Sequence, residues 1–96
     1  MTIRDLADRL GDKLGDRFVT RQERPDGILF RGPDPKKLGR LLRLLITSEA
    51  WEDYEVKLPE AVDRAIELLR EFGGYVVIRE DQAGKLVVAR KSARAA

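Results

Sequence analysis

Ninety-six residues are enough for one domain with a single core. Apolar residues make up 43% and charged residues 38%, so the composition is globular and the surface heavily ionised. The chain has neither cysteine nor histidine, which excludes disulfides, thiolate metal sites, thiol nucleophiles and imidazole bases together. No apolar run approaches the ~18 residues of a membrane span and no signal-peptide pattern opens the chain, so a cytoplasmic protein with no membrane partner is expected.

Thr2 to Leu14 has helical periodicity, with Ile3, Leu6, Ala7, Leu10 and Leu14 on one face and Asp5, Asp8, Arg9 and Asp12 opposite. Gly15 is a natural stop. Arg17 to Glu23 and Ile28 to Arg31 read as strands, joined by the turn sequence Arg24-Pro25-Asp26-Gly27. Pro33-Asp34-Pro35 breaks the second strand and starts a helix expected to run to Ser48, with Asp34 as N-cap. Its leucines and Ile46 cover so wide an arc that it should be the most buried helix. Trp51 to Leu58 reads as a strand, Glu60 to Phe72 as a helix ended by Gly73-Gly74, and Tyr75 to Glu80 with Lys85 to Lys91 as a hairpin.

The expected order is thus α-β-β-α-β-α-β-β. It gives an α+β domain over residues 1–91, followed by a short basic tail at 92–96. Helices should pack on one face of a mixed four- or five-stranded sheet. Parallel pairs should flank each crossover helix, and Leu41, Leu45, Val56, Ile66, Leu69, Val77 and Val88 should be central. Phe18, Phe30 and Phe72 read as core residues, while Trp51 should be partly exposed and Tyr75 could present its ring to bases or to a partner.

Charge is unevenly spread. Residues 1–48 hold 11 Lys/Arg against 7 Asp/Glu, residues 49–82 hold 4 against 10, and residues 83–96 hold 4 against none. Such a chain suits a polyanion only if folding brings the basic parts together; otherwise acidic and basic segments pair within the molecule.

Catalytic equipment is not visible. No histidine stands ready to activate a serine or threonine, and the carboxylates Asp63 and Glu67 fall on the solvent face of an amphipathic helix. No P-loop, dinucleotide fingerprint or EF-hand loop is present, so neither an enzyme nor a cofactor or metal is expected. Lys36, Arg40 and Arg43, with Lys37 beside them, recur at helical spacing opposite the leucines, and Asp34 is the only acid from residue 27 to 48. A cationic stripe of this kind positions phosphates. Arg90, Lys91 and Arg94 form a second basic group.

From Gly27 onward the expected order is β-α-β-α-β-β. With Tyr54 to Leu58, the helix to Phe72-Gly73-Gly74 and the closing hairpin, it resembles the C-terminal domain of translation initiation factor three and the CRM RNA-binding domain. The CRM family has a GxxG loop before its basic helix, where this chain reads Arg31-Gly32-Pro33-Asp34. TusA-type sulfur carriers share the order, but Gly32-Pro33-Asp34-Pro35 has glycine where their reactive cysteine stands, which excludes sulfur transfer.

Two functions are open on the sequence. One is a non-catalytic nucleic-acid-binding module, for RNA ahead of DNA, using Lys36, Lys37, Arg40, Arg43, Arg90, Lys91 and Arg94. The other is a small protein–protein interaction module such as a regulator, inhibitor or assembly subunit, using Trp51, Glu52, Asp53 and Glu55. In either case an edge strand could pair two copies into a homodimer.

Overall fold

The computed structural model describes residues 3–14, 20–52 and 58–91. It is an α+β fold. Helix α1 (Ile3–Leu14) precedes a hairpin of β1 (Thr20–Arg24) and β2 (Gly27–Pro33), then β3 (Leu41–Thr47), α2 (Ser48–Glu52), α3 (Leu58–Phe72), β4 (Tyr75–Glu80) and β5 (Leu86–Lys91). The five strands form one mixed sheet in the order β1-β2-β3-β4-β5. Only β3 and β4 pair in parallel, joined by the crossover through α2 and α3; the other neighbours are antiparallel.

The fold class and the helices on one face are as expected, but the central segment is not. The helix expected from Asp34 to Ser48 is a loop, residues 34–40, followed by strand β3. Two features decide this. Gly39 has φ of +81°, which no helix interior accommodates. The run Leu41 to Ile46 carries leucine on both faces of β3, with Leu42, Leu44 and Ile46 toward the helices and Leu41 and Leu45 away from them, and a short apolar run of that kind is indistinguishable from a buried helix by periodicity. The first expected parallel crossover disappears with the helix: β2 and β3 are antiparallel. Trp51, expected to open a strand, lies in α2, and residues 53–57 of that expected strand lie outside the described residues. From Gly27 the order is therefore β-β-α-α-β-β, with a strand where the resembling RNA-binding domains have their first helix.

The core lies between the helices and one sheet face. Leu6, Leu10 and Leu14 of α1, Val62, Ala65, Ile66 and Leu69 of α3, and Ala50 of α2 pack against Phe30, Leu42, Leu44, Ile46, Val76 and Ile78. Every second residue of β3 and β4 supplies this face, as the pleat requires. Ile66 and Leu69 are as central as expected, while Val88 packs at the margin. Leu41 corrects the expectation, being half-exposed at 45%, because residue parity on β3 turns it away from the helices. Leu45 and Val77 fall on that far face as well, where Leu45 is buried alongside Leu29. Phe72 is a second correction: it is 50% exposed at the last position of α3, beyond the reach of the core. Phe18 and Val56 lie outside the described residues.

The hairpin at Pro25-Asp26 depends on Gly27. Its φ is +153°, and a Cβ there would stand 2.1 Å from the Ile46 carbonyl oxygen of the neighbouring strand. Gly27→Ala must push β2 from β3, and a loss of about 1–3 kcal/mol is expected in denaturant melts. A variant as stable as the parent would mean that the β2–β3 register is wrong.

Candidate functional site

Loop 34–40 decides where the basic residues go. It is closed at its base by the Asp34 N–H donating to the Arg40 carbonyl at 2.8 Å, and turned at its start by the Lys36 N–H donating to Asp34 Oδ1 at 2.8 Å. Across from it α3 ends in Gly73 and Gly74, at φ of +69° and +80°. The Gly73 N–H caps the helix on the Leu69 carbonyl, and the Gly74 carbonyl accepts the Arg43 N–H at 2.9 Å, tying this turn to β3. The register then sets Arg43, Tyr75 and Lys91 side by side across β3, β4 and β5.

The result is a cleft of about 620 Å³ at the end of the sheet. Its walls include Lys37, Arg40, Arg43 and Lys91, the aromatic residues Phe72 and Tyr75, and one carboxylate, Asp34. Lys37, Arg40 and Arg43 make no ion pair among the described residues. Lys91 Nζ lies 5.1 Å above the Tyr75 ring. Cations crowded together without carboxylate partners are held apart by water alone and gain most from a polyanion. Arg31 extends the row by one strand, opposite Arg43 on β2.

Folding therefore brings together four of the seven basic residues singled out in the sequence. Lys36 goes elsewhere: its Nζ donates to the Arg70 carbonyl at 2.6 Å, neutralising the negative end of the α3 dipole. Arg90 is next to Lys91 on β5 and so points to the opposite face, where its guanidinium stacks 4.2 Å from the Phe72 ring centre. Arg94 lies outside the described residues. A helical stripe does not exist, since Lys36, Lys37 and Arg40 are in a loop and Arg43 is on a strand; the cluster forms because the loop folds back over the sheet end.

The alternative surface is at the other end of β3, a strand of seven residues and so roughly 20 Å long. There Trp51 packs partly buried against the core and Glu49 is exposed. Glu52 is the last residue of α2, and Asp53 and Glu55 lie outside the described residues. Acidic residues also dominate a groove between α1 and α3, with Asp5, Asp8, Asp12 and Glu67 along it and Arg9 paired to Asp63 across it at 2.7 Å. The basic cleft and the acidic helix layer are thus separate surfaces.

Sequence reasoning missed Phe72, Asp34 as a wall of the cleft, and the cleft itself. The signal available was Phe72-Gly73-Gly74-Tyr75, two aromatics flanking a glycine pair that keeps their backbone bare. Among the described residues no group of carboxylates is arranged to hold a metal, and no helix is long and apolar enough to cross a membrane. Comparison with family models, with curated proteins and with solved structures finds no match for this chain.

Proposed function

We propose that the protein is a non-catalytic nucleic-acid-binding module, for RNA ahead of DNA, working through the cleft at the end of its sheet. One observation carries the reading: Lys37, Arg40, Arg43 and Lys91 converge there beside Tyr75, and among the described residues the first three have no carboxylate partner. Phosphates pair with the cations and release counterions, while Tyr75, in line with Arg43 and Lys91, offers a plane for a base. Lys36 and Arg90 act indirectly, the first by capping α3 and the second by bracing Phe72. A protein partner held through Trp51 is supported less well, because that ring already packs against the core.

Fluorescence anisotropy with labelled RNA and DNA oligomers tests the reading. The parent should bind RNA at low salt, and Lys37→Gln/Arg40→Gln/Arg43→Gln should abolish binding. All three side chains are exposed, so the melting temperature should stay put. Undiminished binding by a folded triple variant would dispose of the cleft.

A further inference from the structure

Asp34 is out of place in a cleft for a polyanion. It is the one carboxylate among the lining residues, and it is held rather than loose: Oδ1 accepts the Lys36 N–H and the backbone is pinned to Arg40. Among the described residues Oδ2 has no hydrogen-bond partner and no ion pair, although cations line the same cleft. It lies against Gly73, where an added Cβ would stand 3.3 Å from it. Any side chain at that position would crowd the oxygen. Gly73 in turn precedes the Gly74–Tyr75 step, so the carboxylate lies against the turn that leads into Tyr75.

An anionic acceptor repels phosphate and demands an N–H or O–H donor. In nucleic acid the donors that differ between residues are on base edges. Guanine presents two adjacent donors, N1–H and the N2 amino group, which match the fork of a carboxylate. Cytosine and adenine present one amino group beside a ring acceptor, and uracil presents one N–H between two carbonyls that the carboxylate repels. In a duplex these edges are already paired. We infer that the cleft takes an unpaired guanine, its N1–H and N2–H donated to Asp34, within a single strand whose phosphates lie against the surrounding cations. The inference rests on the nucleic-acid reading above and adds to it the strandedness and the base.

Three labelled RNA ten-mers separate the possibilities by anisotropy at about 50 mM salt. One is all uridine, one carries central guanines, and one carries inosines at the same positions, which lack the N2 amino group. All have the same phosphates, so differences report the bases. The guanine oligomer should bind about ten-fold more tightly than oligouridine, with inosine between them, and annealing its complement should remove the advantage. Asp34→Asn keeps an acceptor for the Lys36 N–H but loses the charge. It should erase the guanine preference while tightening oligouridine, an opposite change that unfolding cannot produce. Asp34→Ser, which also retains a turn acceptor, should do the same. Equal, salt-sensitive binding of all three oligomers by the parent would overturn this inference and leave the nucleic-acid reading standing; so would inosine binding as well as guanine, or a preference that survives Asp34→Asn. Failure to bind any oligomer would overturn the reading itself.

Discussion

Phe30→Ala is expected to lower the unfolding free energy by about 3–5 kcal/mol. The ring is fully buried on β2, opposite Leu44 of β3, and belongs to the core between the helix layer and the sheet. Truncation leaves a cavity between two antiparallel strands already fixed by their ladder, so little collapse can fill it. Since a chain of 96 residues has a total stability of roughly 5–14 kcal/mol, the variant should lose from about a fifth of it to nearly all. Thermal melts followed by circular dichroism should show a midpoint lower by more than about 10 °C. Leu44→Ala should cost about 2–5 kcal/mol for the same reason. Leu38→Ala, at the fully exposed tip of loop 34–40, should change stability by under about 0.5 kcal/mol. Had residues 34–48 formed a buried helix, Leu38 would stack with Leu41, Leu42 and Leu45 and its loss would be costly. Measuring the two leucines side by side therefore distinguishes strand from helix directly.

How much of the fold could be read depended on how local the deciding interactions are. Helices α1 and α3 and the β4–β5 hairpin were legible because their periodicity, caps and turn residues lie within a few positions of one another. The Arg24-Pro25-Asp26-Gly27 turn was legible for the same reason. Strand β3 was not. Its identity depends on β2 and β4 pairing on either side of it, and the leucines at 41 and 45 on its far face hide the alternation that marks a strand. Gly39 held the missing information, since a glycine inside a proposed helix costs about 1 kcal/mol and counts against it. The basic residues of the site were legible by composition, but their geometry was not. Lys36 and Lys37 are neighbours in sequence, yet one caps a helix and the other lines the cleft. Arg90 and Lys91 are parted by the pleat of a single strand. Convergence of this kind is a property of the register, and no linear pattern of charge encodes it.

The same convergence sets a quantitative expectation for salt. If Lys37, Arg40, Arg43 and Lys91 each neutralise one phosphate of a single strand, log K should fall with log salt at a slope of about −2.8. Raising salt from about 50 to about 200 mM then weakens binding roughly 50-fold. Arg40→Gln/Arg43→Gln removes two of the contacts, so its slope should be about −1.4 and the same change of salt should cost only about seven-fold. Arg79 provides the control. It is exposed on the same sheet face but four residues along β4 from Tyr75, roughly 13 Å from the cleft, and Arg79→Gln should leave the slope unchanged. A general attraction between a positive molecule and a polyanion would respond equally to all three arginines, because each removes one charge. A protein partner gripped through apolar contacts would show almost no slope at all. Titrations of the parent and both variants at four salt concentrations decide between the cleft and either rival, since only the cleft makes Arg40 and Arg43 count while Arg79 does not.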